Sequence, residues 1–232
     1  MAPFQETPEG AAPIDSVPLR FGVVLYPGFQ ALDAFGPLDA LNALSLHYPT
    51  KLYIIADTLQ PVSTKTPQNF EFPASSFAQS IVPTHTFENV PEIDVLIVPG
   101  GMGNRPPATM DSVINYIRQV YPRLQHLITV CTGSWLVAQA GILDGRKATT
   151  NKASFKRIAG LCPSVEWVGR ARWVVDGNIW TSSGVTAGLD VIFAFIEKVY
   201  GEPVAKLLAN WLEYERHTDS TWDPFAELYE TQ

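Results

Sequence analysis

Cysteine is scarce in this chain of 232 residues, which contains only Cys131 and Cys162. Two cysteines do not make the disulfide framework of a small secreted protein, so that class is excluded. Long hydrophobic runs are lacking too, since no stretch approaches the roughly 18 apolar residues of a membrane-spanning helix. The first segment, 1–18, is acidic and rich in proline, and it has neither the basic nor the apolar region of a secretory signal peptide. These absences favour a soluble cytoplasmic protein.

Positive charge is also in short supply. The chain has 16 Lys and Arg against 23 Asp and Glu, a formal net charge of −7, and no run of basic residues. Proteins that bind nucleic acids or anionic membranes need clustered Lys and Arg, so neither partner is expected.

Internal repeats are absent, and the length suits a single domain, which we place at 20–217. A flexible N-terminal arm at 1–19 and a C-terminal tail at 218–232 flank this domain.

The apolar pattern indicates the fold class. Short apolar runs typical of buried strands alternate with amphipathic segments typical of helices. Such alternation predicts an α/β protein with a parallel sheet and helices on both faces, and ligands bind such sheets at the carboxyl ends of the strands. Predicted strands occupy 21–26, 52–56, 95–98 and 127–131, and predicted helices occupy 36–47, 111–123, 135–143, 188–200 and 204–217. We also expect a hairpin excursion within 61–91 and an antiparallel hairpin around Asp176-Gly177-Asn178.

Cys131 is the candidate with the strongest chemical signal. It ends the predicted strand 127–131 and stands just before the predicted helix 135–143. A side chain on a sharp strand-to-helix turn is held up at the edge of the sheet, as in a nucleophile elbow. The positive end of the helix dipole would favour the thiolate there. The alternative is an inert buried cysteine, which packs as a small hydrophobic residue.

Asp33 follows the first predicted strand in an apolar setting. Its neighbours Leu32, Ala34 and Phe35 would remove water from the carboxyl and raise its pKa. A carboxylic acid that gives and takes a proton beside a thiol is what nucleophilic addition needs. The alternative is that Asp33 caps the amino end of the predicted helix 36–47.

Glycines follow the strand 95–98. Gly100, Gly101 and Gly103 provide a backbone that can approach a ligand closely, which favours an oxyanion hole. A plain tight turn is the alternative. Nucleotide binding by a Gly-x-Gly-x-x-Gly turn is excluded, because Pro106 stands where the third glycine is required.

Taken in order, these motifs resemble the DJ-1/PfpI superfamily and, within it, the isonitrile hydratase-like branch. The resemblance covers roughly 21–200, and its motifs are Tyr26-Pro27-Gly28, Leu32-Asp33, Gly36-Pro37, Val98-Pro99-Gly100-Gly101, Val130-Cys131-Thr132-Gly133, Gly145-Arg146-Lys147-Ala148-Thr149-Thr150 and Ser182-Ser183-Gly184-Val185-Thr186-Ala187-Gly188-Leu189-Asp190. It implies a flavodoxin-like sandwich of the class I glutamine amidotransferase type that forms a homodimer.

The resemblance also implies roles for individual residues. Cys131 matches the nucleophile, and Asp33 matches the acid that pairs with it in isonitrile hydratases. Thr132 matches a threonine of the same branch. Its backbone N–H and that of Gly101, with Gly100 beside it, would line the oxyanion site.

One position departs from the wider family pattern. Many relatives carry histidine directly after the Thr-Thr pair, whereas this chain has Asn151, which could orient the substrate or hydrogen-bond to the thiolate. His126 lies five strand residues before Cys131, roughly 16 Å away at the usual rise per residue. His47 and His85 fall in unrelated segments, and His217 falls in the last predicted helix. The chain therefore shows no histidine placed to act as the base of a Cys-His protease or amidase.

The resemblance implies a hydro-lyase that adds water to an isonitrile and releases an N-substituted formamide. The substrate would be a small-molecule electrophile, and the chemistry would use Cys131 and Asp33 with no metal or organic cofactor. One alternative is a glyoxalase-type or secondary-metabolite enzyme that acts on a carbonyl electrophile. Another is a redox sensor in which protonated Asp33 stabilises a sulfinic form of Cys131.

Overall fold

The computed structural model describes residues 7–66, 75–105 and 110–231. The described strands are β1 (Arg20–Val24), β2 (Lys51–Ala56), β3 (Val62–Ser63), β4 (Ser80–Ile81), β5 (His85–Thr86), β6 (Val95–Val98), β7 (His126–Thr129), β8 (Lys147–Ala148), β9 (Glu166–Trp167), β10 (Trp173–Asp176) and β11 (Ile179–Ser182). The α-helices are α1 (Ala31–Leu44), α2 (Asp111–Val120), α3 (Gly133–Gln139), α4 (Phe155–Leu161), α5 (Ala187–Tyr200), α6 (Glu202–Trp211) and α7 (Phe225–Leu228). Within these ranges, no helix is long and apolar enough to span a membrane.

A seven-stranded sheet forms the centre, in the order β10-β11-β7-β6-β1-β2-β5. All of its strands are parallel except β10, which pairs antiparallel with β11. Strand β6 is apolar and buried along its whole length, as expected where helices cover both faces of a sheet. Helices α1, α5 and α6 pack together, and α2 packs against α3. The predicted flavodoxin-like α/β class, with a mostly parallel sheet between helices, is confirmed.

The strand order creates a crevice. From β1 the chain continues to β2 on one side, whereas β6 and β7 lie on the other side of β1. Loops that leave the carboxyl ends of β1 and β6 therefore diverge, and this divergence is where open α/β sheets bind ligands. The connections that leave β1, β6 and β7 at this edge lead to Asp33, Gly100 and Cys131.

Helix α1 begins five residues before the predicted start at 36. Its first turn is fixed by the N–H of Gln30, which donates to the carbonyl of Gly100 at 2.8 Å. Pro37, next to the predicted start, lies inside the helix. Its missing N–H removes one main-chain hydrogen bond, and burial of the apolar residues around it keeps the segment helical.

The segment 61–91 forms the predicted hairpin and also supplies a strand that was not predicted. Strands β3 and β4 pair antiparallel, while β5 pairs with β2 and forms one edge of the main sheet. Residues 67–74 of this excursion lie outside the described residues. The hairpin around Gly177 is present as β10 and β11, with Gly177 at a φ of 60°.

Both terminal segments contact the domain. In the N-terminal segment, the N–H of Ala12 donates to the carbonyl of Tyr200 and the hydroxyl of Tyr48 donates to the carbonyl of Ala12, both at 2.9 Å. Residues 1–6 of the predicted arm lie outside the described residues. The last predicted helix, 204–217, ends instead at Trp211, because the chain turns at Glu213, where φ is 51°. The tail then contacts the segment before β10, where the N–H of Arg172 donates to the carbonyl of Ser220 at 2.7 Å and Thr231 Oγ1 donates to the carbonyl of Gly169 at 3.2 Å.

Candidate active site

The strand–turn–helix geometry predicted for Cys131 is present. Strand β7 ends at Thr129, α3 begins at Gly133, and Cys131 between them has a left-handed φ of 58°. Such a conformation is unfavourable for a side chain with a Cβ and persists only where the surroundings impose it. Here the N–H of Cys131 donates to the carbonyl of Ser183 at 3.0 Å. A Cβ at Gly133 would lie 2.1 Å from the carbonyl oxygen of Val98, so the tight turn requires glycine there.

The Cys131 side chain is 7% exposed and its thiol is held in the neutral form. Burial raises the pKa of Cys131 well above its usual range, and the negative charge of Asp33 raises it further. Backbone N–H groups of Thr132 and Val185 point at the sulfur and only partly oppose these effects. The N–H groups favour the thiolate, as the position before α3 predicts, but desolvation outweighs them in the resting site.

Asp33 lies in the first turn of α1 and is fully buried. Its Oδ2 accepts a hydrogen bond from the N–H of Gly100 at 3.0 Å, whereas its Oδ1 has no nitrogen or oxygen partner among the described residues. Burial raises the pKa of Asp33 to about 7, and interactions with the Gly100 N–H and the Cys131 thiol limit the rise. The helix-cap alternative is wrong, because α1 begins at Ala31 and Gln30 occupies the capping position.

The predicted oxyanion residues are brought together, but two of their donors are already engaged. The N–H of Gly100 binds Asp33, and the N–H of Gly101 donates to Thr132 Oγ1 at 3.2 Å. The N–H of Thr132 points at the Cys131 sulfur. Gly100 must be glycine, because a Cβ there would lie 2.6 Å from both the nitrogen and Oγ1 of Thr132. The glycine loop therefore fixes Asp33 and Thr132 in place.

Three residues that the sequence reasoning missed complete this arrangement. Asn104 donates through Nδ2 to the carbonyl and Oγ1 of Thr132, both at 3.0 Å, and Thr150 Oγ1 donates to the carbonyl of Cys131 at 3.0 Å. Val185 supplies the second N–H that faces the sulfur. The only signal for them is position: each belongs to a loop at the edge of the sheet where the strands end.

Asn151 lies at the rim of the site. Its Oδ1 accepts from the N–H of Ser154 at 3.2 Å, which starts a short turn, and its Nδ2 lies 2.9 Å from where a Cβ of Gly184 would stand. Gly184 immediately precedes Val185. Asn151 thus borders the loop that presents one of the sulfur-facing N–H groups.

The histidines make their contacts elsewhere. His126 stacks edge-on against Phe195 at the start of β7, and burial lowers its pKa. His217 stacks on Trp222 and lies 3.4 Å from Asp190 Oδ2. It follows the end of α6, so its predicted place in a helix is wrong. Among the described residues, no group of three or more His, Cys, Asp or Glu side chains is placed to hold a metal ion.

Comparison with known proteins identifies the family of the chain. A profile of the DJ-1/PfpI family matches residues 20–198. The chain is 33% identical over 197 residues to the isonitrile hydratase of Pseudomonas putida, which covers 84% of this chain and 78% of that protein. It is 31% identical over 136 residues to the HTH-type transcriptional regulator GbdR of Pseudomonas aeruginosa, which covers 59% of this chain but 36% of that longer protein. Relatives in this family thus include an enzyme and a regulator.

A solved structure is similar over most of the chain. The crystal structure of a ThiJ/PfpI family protein from Pseudomonas syringae superposes with a TM-score of 0.71 and 27% identity, covering 93% of this chain and 84% of that one.

Proposed function

The chain belongs to the DJ-1/PfpI family, and we propose that it is a cysteine-dependent hydro-lyase that adds water to an isonitrile and releases an N-substituted formamide. The observation that carries the proposal is the buried pair of Cys131 and Asp33, in which a neutral thiol lies beside a carboxyl whose pKa is raised to about 7. The similarity to the Pseudomonas putida isonitrile hydratase, which extends over 84% of this chain, supports the same reaction.

The pair is suited to an α-addition at the terminal carbon of an isonitrile. Near neutral pH the two groups together hold one proton in about half of the molecules. As the Cys131 sulfur bonds to the terminal carbon, Asp33 takes the thiol proton and delivers it to that same carbon. The carbon–nitrogen triple bond becomes a double bond, and the product is a thioimidate, R–N=CH–S–Cys131. The N–H groups of Thr132 and Val185 stabilise negative charge on the sulfur during the attack.

Hydrolysis then returns the enzyme to its starting state. Asp33 accepts a proton from water as the oxygen attacks the thioimidate carbon, and it passes that proton to the nitrogen. The tetrahedral R–NH–CH(OH)–S–Cys131 collapses by breaking the carbon–sulfur bond, and the hydroxyl proton passes to the sulfur through Asp33. The products are R–NH–CHO and the free thiol, so the net reaction consumes one water.

This chemistry needs a single proton carrier with a pKa near the working pH, which Asp33 provides. A protease or amidase would need a base to activate the thiol and an acid for the leaving amine, a task usually given to histidine. The contacts of His126 and His217 lie away from the pair. A buried neutral thiol is also a poor target for peroxide, which reacts with accessible thiolates. These features favour the hydratase over a Cys-His hydrolase or a redox sensor.

The test is turnover of a neutral isonitrile such as cyclohexyl isonitrile, with formamide followed by mass spectrometry. Wild type and Cys162→Ser should form the formamide, since Cys162 lies at the end of α4, outside the pair. Cys131→Ala and Asp33→Asn should lose activity by roughly 100-fold or more, the usual effect of removing a nucleophile or a general acid–base group. Folded wild-type protein with reduced Cys131 that forms no formamide would overturn the proposal, and turnover of methylglyoxal instead would assign the site to carbonyl electrophiles.

A further inference from the structure

Two arginines, Arg105 and Arg157, lie on the segments that contact the elbow. Arg105 ends the glycine-rich loop that follows β6, and its Nη2 donates to Ser154 Oγ at 3.2 Å. Arg157 lies on α4, and its guanidinium stacks on the ring of Trp135 at 4.6 Å from the centroid. Neither guanidinium forms an ion pair with any Asp or Glu among the residues that the structure describes.

Both arginines are attached to the residues that build the catalytic pair. Asn104, directly before Arg105, holds the carbonyl and hydroxyl of Thr132. Trp135, under Arg157, lies in the first turn of α3, and its N–H donates to the carbonyl of Thr132 at 3.1 Å. Ser154, which contacts Arg105, is also joined to Asn151 at the rim. Ser154 caps α4 and stands three positions before Arg157, so its contact with Arg105 brings both arginine side chains to the start of α4.

The two side chains differ in exposure, since Arg157 is exposed and Arg105 is half-buried. Partial desolvation lowers the pKa of Arg157, and the positive charge of Arg105 lowers it further, so the two guanidinium groups repel each other. Arg105 Nε is buried and has no hydrogen-bond partner among the described residues. Leaving a buried donor on a cation unmet is unfavourable, and an anion between the two groups would relieve both the repulsion and the unmet bond. The planar fork of a guanidinium matches a carboxylate particularly well.

We infer that Arg105 and Arg157 bind a carboxylate at the end of the substrate remote from the reacting carbon. The substrate class is then an isonitrile that carries an acid group. This inference rests on the proposed hydratase function for the reaction, although the anion site itself depends only on the two arginines and their surroundings.

The matched substrates are ω-isocyanoalkanoates of increasing chain length and their methyl esters, which share a skeleton and differ in charge. Wild type should favour the acid over the ester at the chain length that spans the site. Arg105→Gln and Arg157→Gln should each lower kcat/KM for that acid about tenfold or more, mainly through KM, with the ester changed less than about threefold. Arg157→Lys should restore part of the preference because it keeps the charge.

Arg123→Gln is the control, because Arg123 is exposed and lies before β7, at the opposite end of that strand from Cys131. It should leave the acid-to-ester ratio unchanged. A wild type that favours the esters at every length, or arginine variants that lose acid and ester turnover equally, would overturn the inference while leaving the hydratase function in place.

A binding measurement separates this inference from the proposed reaction. The N-formyl acids that correspond to these substrates, and their methyl esters, are titrated into wild type and Arg105→Gln/Arg157→Gln by calorimetry. The acids should bind more tightly than the esters, and the double variant should lose that difference even if no isonitrile is turned over. Equal binding of acid and ester to wild type overturns the inference. Inorganic phosphate that displaces the acids with the same dependence on the arginines also overturns it, because the site would then be a general anion site.

Discussion

Asp33 Oδ2 accepts a hydrogen bond from the main-chain N–H of Gly100 at 3.0 Å, across a sequence separation of 67 residues. This bond ties the first turn of α1 to the loop after β6 and leaves Asp33 Oδ1 as the oxygen without a nitrogen or oxygen partner. The bond orients the Asp33 carboxyl beside the Cys131 thiol, and its donor is a neutral N–H that does not cancel the charge of the carboxylate. The pair therefore shares protons in a desolvated space, and its pH behaviour follows from that arrangement.

The rate should rise with pH through about 7. The fully protonated pair is inactive in the proposed reaction, and burial places the loss of its first proton near pH 7. Since burial and Asp33 raise the pKa of Cys131 well above its usual range, kcat/KM should then stay level to at least about pH 9. The measurement is the pH profile of kcat/KM with a neutral isonitrile. A rise centred near 8.5, the ordinary value for a free thiol, would contradict this assignment.

Asp33 should also make the folded state less stable as pH rises. Its pKa is about 7 in the folded protein against an ordinary value of 3.8, so the folded state binds more protons than the unfolded chain between these values. The free energy of unfolding contributed by this group therefore falls as pH rises from about 4 to about 7, by up to roughly 4 kcal/mol. Asp33→Asn should lack this fall.

Urea unfolding of wild type and Asp33→Asn across that pH window checks the prediction. The variant should gain stability relative to wild type as pH rises. Parallel curves for the two proteins would show that Asp33 titrates normally.

Gly100→Ala should inactivate the site while the domain stays folded. The added Cβ would stand 2.6 Å from Thr132 Oγ1 and 3.0 Å from Asp33 Oδ2, so the loop has to move and the pair loses its alignment. A misplacement of about 1 Å lowers activity roughly 100-fold. The matched control is Gly160→Ala on α4, where a Cβ meets nothing within 4 Å and should stabilise the helix by roughly 0.5–1 kcal/mol. Turnover and thermal unfolding of both variants provide the comparison, and an active Gly100→Ala enzyme would show that the loop tolerates the displacement.

Lys152 should anchor the C-terminal tail to the strand segment beside the elbow. Its buried Nζ donates to Thr149 Oγ1 and to the carbonyl of Ala171, both at 2.8 Å, and lies 3.5 Å from the buried Asp223 of the tail. Burial lowers the pKa of Lys152 to about 8, and the charge of Asp223 opposes that change. Lys152→Met leaves Asp223 buried without its cation and should lower the free energy of unfolding by about 3–5 kcal/mol.

Adding Asp223→Asn should recover part of that loss, because the amide oxygen can still accept the N–H of Phe225 while carrying no charge. A double-mutant cycle by urea unfolding measures the coupling between the two residues. Strictly additive effects would show that the ion pair contributes no coupling energy.

How much the sequence could predict differs between the fold and the site. The central strands were predicted well because β6 and β7 are buried on both faces and read as continuous apolar runs. The start of α1 was misplaced because the contact of Gln30 with Gly100 that sets the true start is not local. The neutral state of Cys131 was also missed because it depends on tertiary contacts. The thiol is desolvated by the residues that pack around it, and its position before a helix does not indicate this. Lys152 and Asp223 meet across 71 positions, which no local pattern indicates.

The central claim is that Cys131 bonds to the isonitrile carbon, and an acid-quench experiment tests it most directly. Protein in excess is mixed with cyclohexyl isonitrile, quenched in acid at successive times and analysed by mass spectrometry. We predict a transient mass increase equal to one isonitrile on the peptide that contains Cys131, which decays as N-cyclohexylformamide accumulates. Formamide produced by Cys131→Ala at the wild-type rate, with no adduct on the wild-type peptide, would contradict the claim.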